Sequence, residues 1–291
     1  MLGHRPEPQG IVMVESPKEL RRICYHGHKV FRPWYNKHFS NKVSIYVTWL
    51  LLHTGITPNQ VSLLEIFLVI TGAIFMFTGS LLNILVGILI IHFTVILDCC
   101  DGEIARYRSM SSKSGMFLED FYHAMVSHLM FFAVAFGAYI KTGWTSVLIF
   151  GFLASVFSKS IVIETIFSTV MKIKLEEKVS NEKKGKSKLG KASAKQINLQ
   201  GSSAGKSLSD LYSKLLNFWG DPAHIVYLTI ISIIEYANWM NGSRYFMSYS
   251  VFYWFIVAYG AGSVVKQIIS FVVHYNGKAV EQYYKSVFGD R

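Results

Sequence analysis

Long apolar stretches alternate with short polar breaks along this chain. Runs near 58–79, 81–105, 115–141, 144–171, 223–241 and 247–273 approach the roughly 20 apolar residues that carry a helix across a hydrocarbon core. They predict about six transmembrane helices. Val43 to His53 (VSIYVTWLLLH) is apolar but too short to span. With Trp49 and basic flanks, it predicts an amphipathic helix in the membrane interface. The first 30 residues are polar and lack the apolar core of a cleavable signal peptide. Within them Ser16 is placed to cap a short helix from Pro17 to Cys24. Thr57-Pro58-Asn59 predicts a helix start, where the missing proline N–H does no harm. The fold class that follows is an all-α integral membrane protein with an interfacial helix before its spans. Its expected parts are a cytosolic segment 1–40, a membrane domain 41–273 with a flexible cytosolic loop 173–222, and a cytosolic tail 274–291.

Charge sets the expected orientation. From Lys172 to Lys214 there are eleven lysines and four acids, and the Arg106–Lys113 connection is also basic. The alternate connections hold only Lys141 and Arg244. The positive-inside rule then places both termini and residues 98–123 on the cytosolic side. The lysine run reads as a solvated loop or as a clamp on anionic lipid. A net charge of +11 suits lipid headgroups and phosphorylated substrates. No DNA- or RNA-binding fold is visible, so nucleic acid is not an expected partner. GSSAGKS at 201–207 is one residue short of a P-loop. Residues 185–191 have its glycine spacing but are followed by Ala192, and no strand precedes either, so ATP binding is not expected.

The chemistry concentrates in DCCDGEIARYRSMSSKSGMFLEDFYH, Asp98 to His123. Asp98 and Asp101 are three apart and share a helical face; Glu119 and His123 are four apart and share one on the next helix. A hairpin brings these pairs together around divalent cations held by oxygen. Gly102 and Gly115 permit close approach of a ligand to the backbone. Arg106 offers a planar fork for phosphate. Cys24, Cys99 and Cys100 imply no disulfide framework. Hard cations prefer oxygen, so Cys99 and Cys100 read as packing residues.

This stretch resembles the signature of the CDP-alcohol phosphotransferase family, D-x-x-D-G-x-x-A-R, eight residues, then G-x-x-x-D-x-x-x-D. Asp98, Asp101, Gly102, Ala105, Arg106 and Gly115 fall in place. Glu119 and His123 stand where the family has its last two aspartates. A TPN stretch like Thr57–Asn59 is frequent in the family. The resemblance covers the first three spans and matches the last three only in hydropathy.

The resemblance implies an enzyme that transfers a substituted phosphate from a CDP-alcohol donor to a second alcohol and releases CMP. It implies Mg²⁺ or Mn²⁺ held by Asp98, Asp101 and Glu119. Asp101, Gly102, Ala105, Arg106 and Gly115 would seat the CDP group, with Asn59 lining the same pocket. His123 would be the base for the acceptor hydroxyl, since a neutral imidazole accepts a proton at pH 7; it could also ligate metal. Asp120 could replace Glu119 if the helix bulged. The acceptor is a lipid alcohol or a polyol phosphate. The upstream arrangement looks most like the inositol-phosphate branch. A homodimer is also implied. The alternative reading is a non-catalytic CDP-alcohol- or lipid-binding scaffold derived from the same family.

Other ionisable groups inside the spans are Glu65, His92, His128, Lys159, Glu164, Glu235 and Lys266. Such groups face a cavity or a partner. Lys159 and Lys266 are candidates for the acceptor phosphate, or for structural pairs such as Lys159 with Glu164 or Glu65. His92 and His128 read as satisfied packing residues.

Overall fold

The computed structural model describes residues 14–25, 35–183, 223–241 and 250–289, and every regular element among them is helical. Helix α1 is Pro17–Tyr25, and a π-helical turn, Asn36–Ser40, leads into α2, Asn41–Leu52. Then follow α3 (Pro58–Phe77), α4 (Leu81–Arg108), α5 (Lys113–Thr142), α6 (Thr145–Phe157) and α7 (Ile161–Lys183). After a gap come α8 (Ala223–Met240), α9 (Ser250–Asn276) and α10 (Ala279–Phe288). The two P-loop-like stretches and most of the lysine run lie outside the described residues.

Among the described residues five stretches are long and apolar enough to cross a membrane: α3, α4, α5, Thr145–Leu175 across α6 and α7, and Val251–Asn276 in α9. Outward-facing Phe67, Ile74 and Phe152 are more than half exposed, as side chains meeting lipid would be. The protein is therefore an all-α integral membrane protein. The sixth expected stretch is present as α8, which packs on α4 but is not among the five.

Helices α3 and α4 form an antiparallel hairpin across the turn Thr78–Ser80 and pack along their whole length. They come close at Gly72 and Gly87: a Cβ on Gly87 would stand 2.5 Å from the Gly72 carbonyl oxygen. Small residues let membrane helices come this near, where van der Waals contact is the main source of association. α5 packs on the same hairpin and α6 packs on α5 and α9. The main core, including Met76, Ile84, Ile88, Met130 and Phe131, lies among α3, α4 and α5 and extends into α8 and α9.

Three boundaries differ from the sequence expectation. The stretch expected as one span over 144–171 breaks at Ser158–Ser160, where the Gln267 amide donates to the Phe157 and Lys159 carbonyls. α7 runs on to Lys183, past the expected start of the flexible loop at 173. The tail contains α10, which returns onto α7: Tyr283 meets Phe167, and Lys174 Nζ lies 4.5 Å over the Phe288 ring. Helix α2 is amphipathic in an unusual sense. Its buried face includes Ser44 and Thr48, whereas Tyr46 and Leu50 are about 60% exposed. The polar face is turned inward because it meets a buried acid on α4, described below.

Candidate functional site

Three helix ends meet at one rim. α3 opens with a reciprocal cap: the Gln60 amide donates to Thr57 Oγ1 at 3.4 Å and the Thr57 amide to Gln60 Oε1 at 2.8 Å. α5 opens at Ser112, whose hydroxyl accepts from the Gly115 amide at 2.9 Å. α4 ends at Ser109 in the left-handed region, φ 54°. The preceding Arg108 donates to the carbonyls of Leu52, Thr54 and Ile56, holding the lead-in to α3 against the end of α4. Asn59 joins the rim, accepting from Ser112 Oγ at 3.4 Å and donating to Ser114 Oγ at 3.5 Å.

Between these ends lies an open cleft of about 200 Å³ lined by Asn59, Asp101, Gly102, Ala105, Arg106, Gly115 and Glu119. Seven of the residues singled out from sequence thus share one cleft. Two glycines keep it open. A Cβ on Gly115 would stand 2.9 Å from Asn59 Oδ1, and one on Gly102 would stand 3.0 Å from Arg106 Nη1.

The acids occupy two tiers. Asp101 reaches the cleft and accepts from Ser62 Oγ at 2.7 Å. One turn deeper, Asp98 Oδ1 lies 3.3 Å from His123 Nε2. Neither Asp98 nor His123 lines the cleft; they meet between α4 and α5, one turn further along α4 from its cleft end. Still deeper, Thr94 Oγ1 lies 3.1 Å from Tyr122 OH. Helix α5 is regular through this region, so Glu119 faces the cleft and Asp120 stays exposed outside it.

A buried acid that sequence reasoning passed over stands behind Arg106. Glu103 is fully buried and accepts from Tyr25 OH, from Ser44 Oγ at 2.7 Å and from Thr48 Oγ1 at 2.6 Å. The Arg106 guanidinium carbon lies 5.6 Å from the centre of the Tyr25 ring, within cation–π range. Helices α1 and α2 are thereby pinned to the helix that presents Arg106. Burial pushes the Cys24 thiol, in the same small core, up to about 11; Glu103 adds to the rise and Arg106 opposes it. Two sequence signals pointed here: Glu103 lies three residues before Arg106, and the hydroxyls of Ser44 and Thr48 share one face of α2. Ser62 was equally legible, one turn after Asn59.

The remaining polar groups have structural positions away from the cleft. His92 bridges Tyr35 OH at 2.5 Å and Thr229 Oγ1 at 2.6 Å, and His128 bonds the Ala124 carbonyl. Glu235 accepts from the Val251 and Phe252 amides at 2.7 and 3.2 Å, capping the start of α9. Lys266 is 3% exposed and donates to the Ser158 carbonyl at the α6–α7 break. Neither Lys266 nor Lys159 lines the cleft. All three cysteines are free thiols, and Cys24 and Cys100 are buried.

Asp98, Asp101 and Glu119 offer only oxygen, the donor chemistry of a hard divalent cation. Among the described residues no three acidic, histidine or cysteine side chains converge to metal-binding distance. The acids fit such an ion by kind, with the side chains standing apart. A fourth acid, Glu65 on α3, lies beside them with both carboxyl oxygens buried and unpartnered.

A model of the CDP-alcohol phosphatidyltransferase family matches residues 55–197. No curated protein sequence matches the chain. Two similar solved structures are of phosphatidylinositol phosphate synthase from Mycobacterium tuberculosis. One, with CDP-DAG bound, is 15% identical with a TM-score of 0.49, covering 86% of this chain and 98% of that one. The other, in complex with manganese and citrate, is 15% identical with a TM-score of 0.44, covering 80% and 89%.

Proposed function

This chain belongs to the CDP-alcohol phosphatidyltransferase family through residues 55–197, and from that premise we propose that it is a divalent-metal-dependent CDP-alcohol phosphotransferase. In this reading it moves a substituted phosphate from a CDP-linked alcohol to a second alcohol in phospholipid or polyol-phosphodiester synthesis. The observation that carries the proposal is the single cleft that collects Asn59, Asp101, Gly102, Ala105, Arg106, Gly115 and Glu119.

Arg106 and the rim around Gly102 and Gly115 receive the pyrophosphate of the donor. The guanidinium is held from behind by Tyr25, and the glycines leave room for phosphate against the backbone. Asp98, Asp101 and Glu119 would hold Mg²⁺ or Mn²⁺, which would supply positive charge to neutralise the pyrophosphate and stabilise the leaving CMP. Ser62 fixes one oxygen of Asp101. The acceptor hydroxyl attacks the phosphorus on the alcohol side, the bond to the CMP phosphate breaks, and His123 takes the hydroxyl proton. Asp98 orients the imidazole for that role.

The acceptor is a lipid alcohol or a polyol phosphate such as inositol phosphate. Lys159 and Lys266 are left out of this assignment because neither lines the cleft. The cleft faces the cytosol, and the chain works as a homodimer. Release of CMP by the purified protein with Mn²⁺ or Mg²⁺, a CDP-alcohol and each acceptor class tests the reading. The substitutions at Glu119 and His123 favour one alternative, a module that binds CDP-alcohol without turnover. Donor binding with no CMP release for any acceptor identifies it.

A further inference from the structure

Glu65 is fully buried, and neither of its carboxyl oxygens has a hydrogen-bond partner. A buried acid without a partner is costly, more so at membrane depth, and buried polar atoms nearly always have one. Its position says what the partner is. Glu65 follows Ser62 by three residues on α3, so the two share a face. Ser62 Oγ donates to Asp101 Oδ2 at 2.7 Å, which turns that face toward α4. The two helices are antiparallel, so the turn beyond Ser62 lies opposite the turn before Asp101, which carries Asp98. Asp101, Asp98 and Glu119 are the acids near enough for their charges to reach Glu65. Carboxylates gathered this way repel one another unless a cation stands between them.

We propose that Glu65 is a ligand of the divalent metal centre, a fourth oxygen donor supplied by α3 to the set that α4 and α5 bring together. The inference rests on the metal-dependent reading above and extends it. The bonds Glu65 lacks within the protein are those a hard cation among these acids supplies. Three helices then contribute acids to one centre: Glu65 from α3, Asp98 and Asp101 from α4, and Glu119 from α5.

The test uses the full-length protein in detergent and Mn²⁺ alone as the probe. Mn²⁺ affinity is read from the electron paramagnetic resonance of free Mn²⁺, and thermal unfolding is followed in EDTA and in saturating Mn²⁺. Glu65→Gln is expected to weaken Mn²⁺ binding at least tenfold. In EDTA it should be at least as stable as the parent, because a neutral isostere replaces an unpartnered acid; in Mn²⁺ the order should reverse. A purely structural Glu65 gives no such inversion. If Glu65→Gln binds Mn²⁺ like the parent while Asp101→Asn does not, Glu65 is no ligand and the metal-dependent reading stands. If the parent binds no Mn²⁺ with or without a CDP-alcohol, that reading fails and the inference with it. Should Glu65→Gln not fold, Glu65→Asp carries the test: weakened Mn²⁺ binding supports the assignment and unchanged affinity overturns it.

Discussion

His123 Nε2 stands 3.3 Å from Asp98 Oδ1, across the interface between α5 and α4. An aspartate at 123 would set a second negative charge against Asp98, whereas the imidazole pairs with it and keeps a basic nitrogen between α4 and α5. As the proposed base, His123 makes the first prediction. His123→Ala should lower the rate of CMP release by about 10²- to 10⁴-fold, the usual worth of a general base, with donor affinity nearly intact. His123→Asp should keep part of the activity. A fully active alanine variant removes the base role. A parent with no turnover beside an active His123→Asp identifies a binding module.

Asp101 accepts from the Ser62 hydroxyl at 2.7 Å, and it lines the cleft. Asp101→Asn should abolish metal-dependent binding of a CDP-alcohol while the detergent-solubilised protein stays folded. Calorimetry checks this; unchanged binding places the metal elsewhere.

Gly115 lies where α5 starts beside Asn59, and an added Cβ would come within 2.9 Å of Asn59 Oδ1 and 3.1 Å of Ser112 Oγ. Gly115→Ala should displace both groups at the rim. Both are ends of side chains that can swing aside, so the fold should be little affected and the change should read as weakened donor binding. An alanine variant with parental donor affinity would show that the rim does not touch the nucleotide.

Lys141 lies at the end of α5 opposite the cleft, and Gly55 lies in the exposed lead-in to α3 on the cleft side. In a background without native cysteines, a membrane-impermeant thiol reagent applied from outside should label Lys141→Cys and not Gly55→Cys. The opposite pattern reverses the orientation and puts the cleft outside.

Cys24 is fully buried and its thiol is pushed up to about 11 from 9.0, so it stays protonated in the folded protein at pH 8. N-ethylmaleimide should modify it only after unfolding. The sign follows: between about 9 and 11 the unfolded thiol ionises while the folded one does not. That part of the stability is complete below pH 9 and is lost as pH rises toward 11. Peptide mass spectrometry before and after denaturation measures the labelling.

Much of the cleft was legible from spacing alone. Asp98, Asp101 and Arg106 lie on one helix, and Glu119 and His123 on the next, so local periodicity fixed which side chains share a face. The helical caps at Thr57 and Ser16 were also readable, because caps depend on residues three positions apart. Glu103 was legible only in part: its spacing from Arg106 and the shared face of Ser44 and Thr48 are local signals, but its pairing with those hydroxyls is not. Its partners Tyr25, Ser44 and Thr48 are 55 to 78 residues away in sequence, and nothing local announces such pairing. The break at Ser158–Ser160 was equally hidden, because its exposed carbonyls are met by Lys266 and Gln267 from α9.

By itself the sequence determined an all-α membrane protein and which side chains between Asp98 and His123 share a helical face, since hydropathy and helical spacing are local properties. Only the tertiary structure decided that Asn59 meets Ser112, that Asp98 faces His123 rather than the cleft wall, and that Glu65 is left without a partner beside three other acids. Those relations depend on how α3, α4 and α5 cross. That crossing is set by close contacts such as Gly72 with Gly87, between residues whose meeting no local pattern encodes.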